Sequence, residues 1–243
     1  MGEIPVYPMT AKDELLLKNA DALLNGSALI KLIESCVPSI KNPKTMPAVD
    51  LDALLVAIRR CTYGEKMSVS AKHNCENAKE AEFSVNLNHI ISSIKEIDEI
   101  PEILLDDGIK IYVKPVTVDD ILKLNWIQFE QIRAVQMAEQ QNLSNEKQVE
   151  IMQTGYEVLS NAGITVVAKA IDTVLLPDGV AVTDVGQIEE WVRDMPRLEY
   201  AKLEKAIMSI NEKGIQKKIP FTCADCGEQF DSDLDMNPTT FFA

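Results

Sequence analysis

Apolar residues recur at helical spacing along most of this chain and alternate with polar ones only in short stretches. Leu15, Leu16, Leu17, Ala20, Leu23 and Leu24 make one stripe, which predicts a helix over 10–24. Thr10-Ala-Lys-Asp13 resembles a capping box at its start, with Asp in the Glu position, and Asn25-Gly26 closes it. A second helix is expected over 27–36, with Leu29, Ile30, Leu32 and Ile33 facing inward. A proline-bearing loop follows over 38–47, and then a helix capped by Asp50 that ends near Gly64. Arg59 and Arg60 fall in its last turn, where cations suit the helix dipole and a solvated end is expected. Further along, long helices are expected over 118–141, opened by Thr117-Val-Asp-Asp120, and from Ser144 to about 170, with an interruption near Gly163. Asp184 caps a short helix ending near Arg193, and a last helix starts at Asp194, with Pro196 in its first turn, and stops at Gly214.

The strand signals are local. Residues 68–72 and 83–87 alternate, and the segment between them reads as a turn. A partly amphipathic connector over 90–102 follows. Asp106-Asp-Gly108 and Pro177-Asp-Gly179 each sit between short apolar runs and predict two more hairpins. Residues 219–230 read as a final hairpin. The expected class is therefore α+β, predominantly helical, with small β-hairpins. The expected organisation is an N-terminal helical region (1–65), a hairpin region (66–116), a helical region (117–213), and a C-terminal hairpin and tail (214–243) packing back on 66–90.

Composition narrows the function. The chain has 243 residues, an ordinary apolar fraction of 46% and a net charge of −14. That acidity repels phosphate backbones and disfavours general nucleic-acid binding. No run approaches the ~18 apolar residues that span a bilayer, so no membrane role is expected. The first residues lack a signal-peptide pattern, which with five scattered cysteines points to a reducing compartment such as a cytoplasm.

The cysteines carry the candidate chemistry. Cys223-Ala-Asp-Cys226-Gly227 has the spacing of a zinc knuckle, in which a tight turn aims two thiolates at one point. Two thiolates leave a tetrahedral site incomplete. His73 and Cys75, in the turn of the 68–87 hairpin, supply the remaining pair, giving a set of one His and three Cys: His73, Cys75, Cys223 and Cys226. Four protein ligands leave no position for water or substrate, so the expected metal is structural zinc rather than catalytic, with an iron–sulfur cluster as the other option. The plain reading is that these cysteines are small buried hydrophobes. Cys61 is either packed or a spare ligand. Phe241-Phe242 either fold back on the core or dock into a partner. With only His73 and His89 as histidines and no Gly-rich phosphate loop or G-x-S-x-G, no catalytic constellation is visible and no enzyme is expected. Asp119 and Asp120 read as a helix N-terminus.

Three blocks carry a resemblance: 7–17 (YPMTAKDELLL); Glu34-Ser-Cys-Val37 with 50–65 (DLDALLVAIRRCTYGE); and 221–227 (FTCADCG) with the closing Phe241-Phe242. Together with the Cys75 hairpin they are similar to the T4-type phage baseplate proteins, whose members are baseplate hub subunits or hub assembly proteins of contractile-tailed phages. Members typically carry Cys-x2-Cys where this chain has His73-Asn-Cys75. Cys75, Cys223 and Cys226 carry over, and His73 stands as a substitution. The resemblance implies an assembly or structural role in the baseplate hub, exercised on other hub or tail proteins in the host cytoplasm or the virion baseplate. The competing function is a zinc-ribbon adaptor for nucleic acid or transcription machinery, which needs Arg59, Arg60, Lys213, Lys217 and Lys218 to cluster into a basic face.

Overall fold

The computed structural model describes residues 3–75, 79–94, 101–141 and 143–242, and the chain forms two compact units. One comprises Met1–Pro43, Val49–Glu96 and Lys213–Ala243, the other Lys44–Ala48 and Ile97–Glu212. Helices predominate and the strands pair antiparallel, so the α+β class holds.

In the first unit, α1 (Ala11–Leu17) opens where the Asp13 carboxylate accepts from the Thr10 N–H at 2.8 Å and its hydroxyl at 2.7 Å, as the capping box predicts. The expected single helix then breaks. The Asn19 side chain accepts from the Ala22 N–H at 3.0 Å and starts α2 (Ala20–Leu24) afresh. A short amide offers the backbone an alternative partner, which favours a new N-terminus over continuation. Next, α3 (Ser27–Cys36) matches its expected span and buries Ala28, Leu29, Ile30, Leu32, Ile33 and Cys36. It is apolar on most sides because it runs through the core. The following helix, α4 (Ala48–Tyr63), begins ahead of Asp50, which lies inside its first turn.

Strands β1 (Lys66–Ala71) and β2 (Ala81–Asn86) pair from Lys66↔Asn86 to Ala71↔Ala81. Leu87, expected in the strand, instead opens α5 (Leu87–Ser92), because the Asn86 side chain accepts from the Asn88 N–H at 2.9 Å and caps a helix there. Of the connector expected over 90–102, residues 95–100 lie outside the described residues.

The second unit is built on a four-stranded antiparallel sheet in chain order, β3 (Glu102–Leu104), β4 (Lys110–Val113), β5 (Ile171–Leu175) and β6 (Ala181–Val182). The sequence predicts the two hairpins but not the pairing between them, Lys110↔Leu175 and Ile111↔Val174. Between β4 and β5 the chain leaves as a helical hairpin, α6 (Val118–Gln140) and α7 (Asn145–Lys169). The second of these runs through Gly163 without the expected interruption. The returning chain adds α8 (Val185–Arg193) and α9 (Arg197–Asn211), with Pro196 at the N-cap of α9. Sheet, α8 and α9 share one core that includes Ile103, Ile111, Ile171, Ile188, Leu203 and Ile210. A part-buried ion pair joins the two ends of the helical hairpin. Lys169 Nζ lies 2.6 Å from Asp120, whose carboxylate also takes the Thr117 hydroxyl at 2.6 Å.

The chain returns to the first unit through β7 (Lys218–Thr222), β8 (Gln229–Asp233) and a last turn of helix, α10 (Pro238–Phe241). Gly214, with φ +87°, makes this return possible. A Cβ there would stand 2.7 Å from the Val49 carbonyl oxygen. Phe241 is fully buried and Phe242 nearly so, with their rings edge to face at 5.2 Å. Of the two fates open to this pair, folding back is the one adopted. It also corrects the reading of Arg59 as a solvated helix end. The guanidinium is buried, donates to the Phe241 carbonyl, and lies over the Tyr63 and Phe241 rings at 5.2 and 5.4 Å. Residues far apart in sequence cover the end of α4, which periodicity alone does not reveal.

Candidate metal centre

Two hairpin turns of the first unit meet at the candidate site. In the β7–β8 turn, the Cys223 N–H donates to the Glu228 carbonyl at 2.8 Å and the Gly227 N–H donates back to the Cys223 carbonyl at 2.9 Å. Gly227 takes φ +77°, the left-handed conformation that a tight Cys-x2-Cys turn needs. Both sulfurs thereby point to one side. His73 and Cys75 leave the end of β1 at Ala71 and face them.

All four predicted ligands come together. Their donor atoms lie within 4.8 Å of one another. Cys75 Sγ is 4.0 Å from Cys223 Sγ, and Cys226 Sγ is 3.3 Å from His73 Nδ1. A tetrahedral zinc ion, with metal–ligand bonds of ~2.3 Å to sulfur and ~2.0 Å to nitrogen, spaces its ligands about 3.8 Å (S to S) and about 3.5 Å (S to N) apart. Each of these two separations lies close to its value, the sulfur pair slightly longer and the sulfur–nitrogen pair slightly shorter, so the donor set fits a tetrahedral metal ion. With four protein donors, the set is of the closed kind that fixes structure and leaves no coordination position for water. It brings together residues 148 and 153 positions apart in the chain.

The electrostatics agree. The N–H groups of Cys226 and Asp225 point at the Cys223 sulfur and hold its thiol low, at about 7. Burial, together with the neighbouring Cys226 and Cys223 sulfurs, pushes the Cys75 thiol up to about 11. Three sulfurs this close resist ionising together, and a divalent cation at their centre removes that resistance.

Around the ligands sit groups that sequence reasoning did not assign. Nε2 of His73 turns toward the Glu228 carboxylate at 3.9 Å, on the side where ligating histidines commonly meet a carboxylate. Phe230 stacks on the His73 ring at 5.0 Å, and Phe83 stacks on Phe221 at 4.4 Å, so an apolar floor joins the hairpins beneath the sulfurs. Phe221 and Phe230 were visible as aromatics flanking the knuckle. Phe83 and Glu228 carry no local signal, since only the docking of the two hairpins gives them partners.

The remaining cysteines stay outside the cluster. Cys36 is buried in the core. Cys61, expected to be packed, is exposed, and its sulfur lies 3.6 Å from the Val6 carbonyl of the extended N-terminal segment. The basic face that an adaptor would need is depleted, because Arg59 is committed to Phe241 and Lys217 to Asp52. No helix among the described residues is long and apolar enough to cross a membrane.

The family model described as T4 bacteriophage base plate protein matches residues 1–243. No curated protein and no solved structure matches the chain.

Proposed function

The chain belongs to the T4 bacteriophage base plate protein family, and from that premise we propose that it serves in building the baseplate hub, as an assembly or structural protein acting through protein–protein contacts. The observation that carries this reading is the family match over the whole chain. The place of action is the host cytoplasm during tail assembly or the virion baseplate itself. In this reading the protein has no catalytic role. Its chemistry is a structural zinc ion held by His73, Cys75, Cys223 and Cys226, which supplies a crosslink between the β1–β2 and β7–β8 hairpins. Those residues would supply the four donors, and they fix the segment that returns to α4. The partners are other hub or tail proteins, without nucleic acid.

The test is assembly in the presence and absence of the chain. Hub components of the same phage are co-expressed with and without it and separated by gradient sedimentation. The expected result is that hub particles form, or sediment as a complete species, only when the chain is present. Hub particles indistinguishable in its absence, with no association between the chain and any component, overturn the proposal.

A further inference from the structure

The α6–α7 hairpin is built as an unfinished helix bundle. Its helices have 23 and 25 residues, roughly 35 Å each at ~1.5 Å per residue, yet α6 buries only Val118, Asp120 and Ala138, and α7 only Gly155 and Ala168. Two helices cannot cover each other on more than one seam. Beside that seam runs a second apolar stripe, where a cleft of about 320 Å³ is lined by Ile132 and Val135 on α6 and by Met152, Tyr156 and Leu159 on α7, with Gly155 between them. Ile132 is 58% exposed and Tyr156 68%. Val149 continues the stripe at 52% exposure, at helical spacing from Met152 and Tyr156. Isolated exposed apolar side chains are ordinary on a protein surface, whereas a contiguous stripe along a cleft marks an interaction site.

The charges at its edge say what covers it. Glu139 lines the cleft. Glu146, Glu150 and Glu157 lie along one edge of α7, at spacings that place them beside Val149 and Tyr156. Among the described residues, none of these four carboxylates forms an ion pair. Glu146 and Glu150 stand at i,i+4, where like charges destabilise a helix. A second copy of this chain would bring the same acidic edge and the same net charge of −14 to the interface.

We propose that this face binds an amphipathic α-helix of a partner protein, whose apolar stripe fills the cleft between α6 and α7 and whose flanking Lys or Arg residues meet Glu139, Glu146, Glu150 and Glu157. The proposal rests on the reading of the chain as one that works through protein contacts, and it assigns that reading a surface and a partner chemistry. It is the helix-in-groove mode, in which residues at i, i+3, i+4 and i+7 anchor the partner.

The experiment uses the full-length chain and three synthetic helical peptides: a leucine stripe flanked by lysines, the same stripe flanked by glutamates, and the lysine peptide with its leucines replaced by glutamines. Binding is read by fluorescence anisotropy at low and moderate salt and mapped by amide chemical-shift changes. The expected result is binding of the lysine–leucine peptide at least tenfold tighter than either control, shifts confined to the cleft-lining residues of α6 and α7, and at least a tenfold loss in Ile132→Asp and in Tyr156→Ala. Because both residues are exposed, these variants should fold, and circular dichroism checks this. Equal binding of the leucine-free peptide, or full binding by Ile132→Asp, overturns the proposal by showing bulk attraction of cations to an acidic protein. Concentration-dependent dimerisation in sedimentation that Ile132→Asp abolishes also overturns it, in favour of a second copy. Co-sedimentation with hub components unaffected by Ile132→Asp sinks the docking face and leaves the assembly reading standing. Tight mapped peptide binding with no hub association does the reverse.

Discussion

Replacing Phe241 by alanine tests whether the end of the chain is part of the core or an ornament on it. The ring is fully buried, lies edge-on to Phe242 at 5.2 Å and faces the Arg59 guanidinium at 5.4 Å. Removing a buried phenylalanine ring costs about 3–5 kcal/mol, and the contact with Phe242 is one source of that cost. The Arg59 bond to the Phe241 carbonyl survives the substitution, because the acceptor is backbone. An expected loss of about 4 kcal/mol corresponds to roughly a 700-fold rise in opening, at ~1.4 kcal/mol per factor of ten. Tryptophan fluorescence is the wrong probe, since Trp126 and Trp191 both lie in the second unit. Amide hydrogen exchange read by mass spectrometry is the right one, followed in peptides from α3 and α4. Accelerations of a hundredfold or more in the α4 amides are expected. A change below tenfold would refute the reasoning, because the ring would then contribute no more than a surface side chain. Arg59→Met is the companion variant. It keeps much of the volume but strips the Phe241 carbonyl of its donor, at a cost of about 1–3 kcal/mol.

Purified protein should carry one zinc per chain by inductively coupled plasma mass spectrometry, with most thiols protected. Cys223→Ser or Cys226→Ser should lose the metal and raise hydrogen exchange in β1, β2, β7 and β8. Unchanged metal content and exchange in both variants would dismiss the clamp. At Asp120, burial alone would raise the carboxyl pKa, but the Lys169 ammonium and the Thr117 hydroxyl and N–H outweigh it, so the folded value lies below the ordinary one. The stabilisation it brings is therefore complete above the unfolded value near ~3.9 and fades as pH falls through the lower folded value. Asp120→Asn should cost about 1.5–3 kcal/mol at neutral pH, judged from charge-assisted hydrogen bonds, and the gap in melting temperature from wild type should narrow below pH ~4. A gap independent of pH would remove the ion pair as its cause. Gly214→Ala should lower stability by more than the ~1–2 kcal/mol of the left-handed conformation alone, because the added Cβ meets the Val49 carbonyl oxygen at 2.7 Å. Calorimetry showing no loss would mean that the Gly214 turn relaxes freely.

Local information in the sequence determined much of this protein. The spans of α3, α6, α7 and α8 follow from apolar spacing and from polar residues that hold the first N–H groups, as at Thr117 and Asp184. Thiol and imidazole chemistry singled out His73, Cys75, Cys223 and Cys226, since few residue types bind metal tightly and their spacing in tight turns is short-range. Tertiary structure decided what depends on distant partners. The new helix starts at Asn19 and at Asn86 are not among these features, since each rests on a side-chain cap within three residues that apolar spacing overlooks. Two hairpins become one sheet because β4 pairs with β5 across the inserted α6–α7 hairpin. Arg59 reads as a solvated cation until the last residues of the chain cover it. The donor atoms of the candidate metal site come within 4.8 Å of one another where Phe83, Phe221 and Phe230 pack the two hairpins together. Backbone preference acts over a few residues, whereas burial and convergence of side chains are set by which surfaces meet, and that is decided by the packing of the chain as a whole.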